Sequence, residues 1–338
     1  MRAVGYQSSL PVSDAASLVD IDLPRPVTAG RDLLVSIKAV SVNPVDTKVR
    51  MRAQPAPGEW KVLGYDAAGV VEAVGSDVTR FRPGDPVFYA GAIDRPGTNA
   101  EFHLVDERIV GAKPASLSMA EAAALPLTAI TAWETLFDRL DIRRSVPGSA
   151  GAILIIGGAG GVGSIATQLV RQLTDIVVIS TASRPETADW SRNLGAHHVL
   201  DHSKPLAAQV ADLGIGQPGF VFSTTHTDKH LAEIGELIAP QGRFALIDDP
   251  VGLDVSLFKR KCVSTHWEFM FARSMFATPD IAEQGRLLDE VSRLVDAGTL
   301  RTTLTEGFGA ISAANLRRGH ALMESGAAKG KVVLDGWG

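Results

Sequence analysis

The sequence predicts an α/β chain of two domains, one rich in β-strands and one built on a doubly wound parallel sheet. Three observations carry this expectation. The length, 338 residues with 45% hydrophobic residues, exceeds one ordinary domain and supplies ample core. Residues 1–110 hold short strand-like runs broken by Gly and Pro, the rhythm of a compact β-rich domain. From about Ala152 strands and helices alternate, as a parallel sheet requires, because its strands need crossovers between them.

The elements follow in order. DLLVSIKAV, AGVVEAVG, DPVFYAG and AEFHLVD are the strand candidates of the first domain. At Ser118 the pattern changes: SMAE matches a capping box, so a helix opens there and runs through AEAAAL until Pro126. TAITAWETLFDRL reads as a second helix. AILIIG is a buried strand, and a helix follows its glycines through ATQLVRQL. IVVIST is the next strand, and its helix has Pro185 near the start and Gly195 at the stop. HHVLD, GFVFST, RFALID and CVSTHW are further strands. After Phe276 come a polar helix, a strand-like GFG segment, another helix and a last strand, GKVVLDG. That tail is too small for a third domain and is expected to pack onto one of the other two.

Charge and cysteine content narrow the function. The formal net charge is -5 and no run of Lys or Arg stands out, so nucleic acid and anionic membrane are not the expected partners. The N-terminus MRAVGYQSSLPV lacks an apolar core segment of a signal peptide, and no stretch approaches the roughly 20 apolar residues of a span. Cys262 is the only cysteine, which excludes an intramolecular disulfide and a Cys-rich zinc knuckle. A soluble, cytoplasmic protein is expected.

The strongest local motif is IIGGAGGVGSIATQL. Gly158, Gly160 and Gly163 match G-x-G-x-x-G between a strand and a helix, with Gly161 and Val162 inside the turn. Such glycines allow a tight turn, close approach of backbone to a pyrophosphate, and close packing of helix on strand. The end of the second strand should choose the cofactor. NAD enzymes tend to carry an acid there, whereas this chain reads ISTASRPET, with Thr181, Ser183 and Arg184. Small hydroxyls beside an arginine suit a 2′-phosphate, so NADPH is the expected cofactor. Phe222 and Thr224, at the end of a parallel strand, should border it.

Several segments in fixed order resemble the medium-chain dehydrogenase/reductase superfamily: SVNPVDTKVR, LGYDAAGVVEAVG, RFRPGDPVFYAG, GTNAEFHLVD, LPLTAITAWETLF, GGAGGVGSIATQL and the terminal GKVVL. They span nearly the whole chain and are most similar to the zinc-free, quinone oxidoreductase-like branch. THWEFMFARSMF is similar to the subgroup called zinc-type alcohol dehydrogenase-like. The resemblance implies a GroES-like catalytic domain over residues 1–126, completed by 275–338, and a Rossmann NADP-binding domain over 127–274. It also implies a homodimer, with THWEFMFARSMF near both the dimer contact and the substrate cleft.

The resemblance assigns residues as well. Zinc members hold their metal at positions that here are Asn43, Tyr65 and the neighbourhood of Leu127, none a competent zinc ligand, so no metal is expected. Asn43, Tyr65 and Asp46 are the expected catalytic residues. Asn43 would face nicotinamide and substrate as a hydrogen-bond donor, and Asp46 would orient its neighbours. Tyr65 would either wall the substrate slot or donate a proton. Thr128 belongs to the nicotinamide end, His202 to the adenine ribose, and Lys331 to the cofactor phosphates. THTDKH reads as a helix start in which Thr and Asp cap, and His226 and His230 are incidental.

Without zinc an unactivated alcohol has no Lewis acid to stabilise its alkoxide. The expected reaction is therefore hydride transfer from NADPH to a quinone or α,β-unsaturated carbonyl. A zinc-dependent alcohol or aldehyde dehydrogenase and a non-catalytic NADPH-binding sensor are the alternatives.

Overall fold

A computed structural model describes the whole chain, residues 1–338. It contains two compact units, residues 1–130 with 271–338, and residues 131–270. The expected divisions, 126/127 and 274/275, each lie four residues away. The first observed division falls inside a helix that no breaker interrupts.

The first unit opens with β1 (Arg2–Tyr6), β2 (Val19–Asp22), β3 (Asp32–Val42), α1 (Pro44–Arg52), β4 (Lys61–Val62) and β5 (Ala67–Val74). β6 (Pro86–Tyr89), β7 (Phe102–Asp106), β8 (Gly111–Ala112), α2 (Met119–Ala123) and α3 (Pro126–Trp133) follow. The second unit holds β9 (Ala150–Ile156), α4 (Gly161–Leu173), β10 (Val177–Thr181), α5 (Pro185–Asn193) and β11 (His198–Leu200). It continues with α6 (Leu206–Asp212), β12 (Pro218–Ser223), α7 (Thr227–Leu237), β13 (Arg243–Leu246) and β14 (Ser264–Trp267). The chain then returns to the first unit through α8 (Ala272–Met275), α9 (Glu283–Asp296), β15 (Leu304–Gly307), α10 (Ala313–Glu324) and β16 (Lys331–Asp335).

In the first unit β3 is the axis. It pairs with β5 along one edge; Asp32–Ser36 pair with β7 and Ala39–Val42 with β16. The β16 register sets Val332 opposite Val42, so the next residues, Lys331 and Asn43, meet side by side. Pro44 stops the strand and starts α1, because its ring fixes φ for a first helical turn and its missing N–H is not needed there. α1 buries its polar side: Asp46, Thr47 and Arg50 point inward. Arg50 is fully buried, where it pairs with Glu324 and lies 2.9 Å from His320 Nδ1. The capping box at Ser118 forms as the sequence predicts, with Glu121 accepting the Ser118 N–H at 2.9 Å.

The second unit is one six-stranded sheet in the order β11-β10-β9-β12-β13-β14, every neighbour parallel. That is the Rossmann order, in which the chain reverses direction beside the first strand. One face is built from alternate residues of β9, Ala152, Leu154 and Ile156, packed with Leu206 and Val210 of α6 and Leu231 and Ile234 of α7. The second predicted helix, TAITAWETLFDRL, begins at Pro126 and changes to a π-helical stretch over Glu134–Arg139. No helix is long and apolar enough to cross a membrane.

Candidate functional site

In the second unit the glycine turn joins β9 to α4, and each glycine has its own reason. A Cβ at Gly163 would lie 2.5 Å from Gly157 O and 2.5 Å from Gly158 Cα, so helix and turn touch only because it is glycine. A Cβ at Gly158 would collide with the Ser180 hydroxyl of β10. Gly160, by contrast, has only Gly157 O at 3.4 Å, so its free side is open to a ligand. Gly161 and Val162 form the first turn of α4, whose leading N–H groups lack carbonyl partners within the helix. The turn therefore suits the pyrophosphate of a dinucleotide.

The end of β10 carries no acid. Thr181 is fully buried, and its hydroxyl accepts the Gly157 N–H at 3.0 Å and lies 3.2 Å from His202 Nδ1. Its hydroxyl thereby braces the glycine turn. Ser183 is exposed and Arg184 half-exposed, its guanidinium 2.9 Å from Glu186. Thr224 hydrogen-bonds Ile156 O at 2.8 Å and packs on Gly157. Phe222 has no exposed surface and packs within the protein beneath the end of β12.

The first unit holds a buried polar cluster. Asp66 Oδ2 accepts from Asn43 Nδ2 at 2.7 Å and from Lys331 Nζ at 3.0 Å, and its Oδ1 accepts the Leu127 N–H at 2.7 Å. Lys331 also donates to Val42 O at 3.1 Å and to Asn43 Oδ1. All three of its N–H bonds are thereby engaged inside this unit. The β16 register buries the ammonium beside Asn43. Asp46 accepts the N–H groups of Asn43 at 2.8 Å and Gly64 at 3.0 Å. Gly64 has φ +111°, and a Cβ there would sit 2.5 Å from Thr98 Oγ1; glycine alone can turn its N–H to Asp46 at this point. Thr128 is buried, with its hydroxyl donating to Leu125 O at 3.0 Å.

Burial governs the titration of this cluster. It pushes Asp46 up to about 7, against the pull of the Asn43 N–H, Lys331 and the Gly64 N–H. It raises Asp66 too, opposed chiefly by Lys331 and the Asn43 amide. Tyr65 is 1% exposed and meets Phe271 edge-on at 5.4 Å. Burial, and then the charge of Asp46, hold its hydroxyl far above the usual tyrosine range. Its hydroxyl stays protonated, and so neutral, at physiological pH.

This donor set does not fit zinc. Asn43 offers an amide already bonded through both its oxygen and its nitrogen, Tyr65 a hydroxyl that resists ionisation, and Leu127 only backbone. The Lys331 ammonium sits against the carboxylate that a cation would need. No group of three or more His, Cys, Asp or Glu side chains is arranged to hold a metal ion.

Two groupings are set by the fold and not by any one segment. Asp66 and the Leu127 N–H complete the cluster across long sequence separations. His226, Lys229 and His230 line a recess together with His202. The segments THTDKH and GAHHVLDH are the available signal, since the first follows β12 and the second carries β11 and the loop beyond it, strands whose ends face the same side of a parallel sheet. Nor does Asp228 cap α7 as expected: the Thr227 N–H is taken at 2.9 Å by Asp248 from the end of the next strand.

Comparison with known proteins agrees with this architecture. Residues 29–130 match the alcohol dehydrogenase GroES-like domain, and residues 194–334 match the zinc-binding dehydrogenase family. A zinc-type alcohol dehydrogenase-like protein of Staphylococcus aureus is 40% identical over 99% of this chain and 100% of its own. A crystal structure from Rhizobium etli, provisionally named a zinc-dependent alcohol dehydrogenase, is 69% identical, with a TM-score of 0.98 over 100% of this chain and 98% of that one. A quinone oxidoreductase of Pseudomonas syringae is 26% identical, with a TM-score of 0.81 over 99% of each chain. The chain belongs to the medium-chain dehydrogenase/reductase superfamily, and it is an oxidoreductase of that type.

Proposed function

We propose that the protein is an NADPH-dependent reductase of quinones or α,β-unsaturated carbonyls that works without a metal. The observation that carries this reading is the Asn43–Asp66–Lys331 cluster, whose one cation is an ammonium held by three oxygens. A site without a Lewis acid favours acceptors whose developing charge delocalises within the acceptor itself. The likeness to the Pseudomonas syringae quinone oxidoreductase supports the acceptor class. The acid-free end of β10, with Ser183 and Arg184 beside it, supports NADPH.

Bound NADPH supplies a hydride, which reduces a quinone to its hydroquinone or an enone to its saturated ketone once water has provided the balancing proton. The chain's own residues bind and orient. Gly158, Gly160, Gly161, Val162 and Gly163 would hold the pyrophosphate, and Arg184 the ribose phosphate. Asn43 keeps one amide N–H beyond the one it gives Asp66, and we assign that N–H to the acceptor oxygen. Asp46, Asp66 and Lys331 fix the amide in place, and Tyr65 walls the slot.

The test is NADPH consumption by the purified protein over a panel of quinones, enones, aldehydes and alcohols, with metal content measured alongside. Quinone or enone turnover by metal-free protein is expected. Asn43→Ala should lower it about 100-fold, the scale of one oxyanion donor, while Tyr65→Phe leaves it within about twofold, as suits a wall whose hydroxyl transfers no proton. Stoichiometric zinc with chelator-sensitive alcohol oxidation would overturn the proposal. Tight NADPH binding without turnover of any acceptor would point to a sensor instead.

A further inference from the structure

The second unit contains a recess of about 880 Å³ beside the loop after β11 and the first turns of α6 and α7. His202, His226 and His230 line it, with Lys204 and Lys229. The His202 and His230 rings lie 6.5 Å apart, centre to centre. His230 is 9% exposed, and its Nδ1 has no hydrogen-bond partner. A buried ring nitrogen left in this state costs roughly 1–3 kcal/mol, which a ligand reaching into the recess would relieve. The recess also adjoins the glycine turn, through His202, Thr181 and the Gly157 N–H.

We infer that these three histidines receive the ribose phosphate of NADPH together with Arg184 and make the choice of NADPH over NADH depend on pH. The inference rests on the NADPH reading above and extends it to residues outside the glycine motif.

The charges around the rings explain the behaviour. Burial holds His202 below the usual histidine range; Asp201 opposes this, while His226 and Arg184 add to it. His230 is lowered in the same way, with Glu233 opposing and His202, His226 and Lys229 adding. The nearby carboxylates are already engaged. Asp201 bonds Ser203, Glu233 accepts the Ala207 N–H, Asp248 binds Thr227, and Glu186 pairs with Arg184. Glu236 lines the far end of the recess. Burial therefore favours the neutral form of the His202 and His230 rings. An arriving phosphate dianion raises the pKa of a neighbouring imidazole by roughly 1–3 units, so binding takes up protons. By linkage, affinity must then rise as pH falls through the range where only the bound form is protonated. NADH carries a hydroxyl at that position and brings no such charge. The phosphate's own protonation would release a proton on binding, so net uptake can come only from the protein.

Calorimetric titration of the full-length protein with NADPH and with NADH tests this, at pH 6.5, 7.5 and 8.5 and in two buffers of different ionisation enthalpy. The expected result is net proton uptake with NADPH alone, and a ratio of NADH to NADPH dissociation constants that grows about tenfold from pH 8.5 to 6.5. His202→Gln with His230→Gln should remove both effects, and exposed His226→Gln should weaken them should the pair fail to fold. A constant preference for NADPH without proton uptake overturns the role of the histidines and leaves the cofactor reading standing. No preference for NADPH at any pH overturns the cofactor reading itself.

Discussion

Replacing Lys331 by methionine keeps the side chain's length and apolar body and removes only the charge and its three hydrogen bonds. Asp66 then keeps the Asn43 amide and the Leu127 N–H, both at 2.7 Å, but loses its only cation at 3.0 Å in a fully buried place. Breaking a buried ion pair from one side costs about 3–5 kcal/mol, because the remaining charge is stranded. Burial already raises the Asp66 pKa, so the bereft carboxyl can escape by taking a proton, and the loss should shrink as pH falls. Asp66→Asn combined with Lys331→Met removes both charges and should cost at least about 2 kcal/mol less than the two single changes summed. Urea unfolding of the four proteins measures these values, and hydrogen exchange at the Leu127 and Gly64 amides locates the loss in this unit. A Lys331→Met cost below about 1 kcal/mol, or strict additivity in the cycle, would refute the claim that the ammonium holds this cluster together.

Two further outcomes follow from other parts of the molecule. Gly163→Ala places a Cβ 2.5 Å from backbone that cannot move aside, so a loss of about 1–3 kcal/mol of stability is expected; Gly160→Ala, with 3.4 Å of room, should stay within about 0.5 kcal/mol yet weaken NADPH binding about tenfold or more, and equal behaviour of the two in melting and binding assays would contradict the division of roles. In the second unit Glu268 is buried and lies near Glu134, with Arg139 at 2.9 Å; burial, and then Glu134, push its carboxyl from 4.5 up to about 8. The folded protein therefore binds a proton there that the unfolded chain has released, so this group's contribution is full below pH 4.5 and is lost as pH rises to about 8, by up to roughly 1.4 kcal/mol per pH unit. Glu268→Gln should flatten that decline, and parallel stability profiles for the two proteins would exclude it.

How far the fold can be read along the chain depends on how local its causes are. The strands and helices of the second unit are locally caused: a glycine turn, a proline at a helix start, a run of β-branched residues. Each was legible in its own segment, as were the strands that β3 and β5 became. β1, β2 and β4 were not, since they are short and owe their pairing to one another. GFG turned out to end β15, with Gly309 at φ +78° beyond it. The site shows the same division. The pyrophosphate turn is a contiguous motif, but Lys331 reaches Asn43 across 288 residues of sequence, so its partner is set by the β16–β3 register. A lysine entering a strand gives no sign of this by itself. The histidines of THTDKH read as incidental along the chain for a related reason: they share a recess with His202, which arrives from another strand.

The buried charges of the first unit also support the metal-free chemistry proposed above. Asp46 and Asp66 lie in a space closed to water, and such carboxylates require either protons or a cation. Lys331 supplies one positive charge, and the rise of Asp46 to about 7 means that it carries part of a proton near neutrality. Charge is then close to balanced with nothing added. A divalent ion would bring two further positive charges to a place whose remaining donors, Asn43 and Tyr65, are neutral, and it would have to displace an ammonium already bonded to three oxygens. Zinc members meet the same demand with thiolate and imidazole. Descent from a common fold therefore accounts for where these side chains sit, and the ammonium in their midst supports the proposal that this chain acts on acceptors that can carry their own charge.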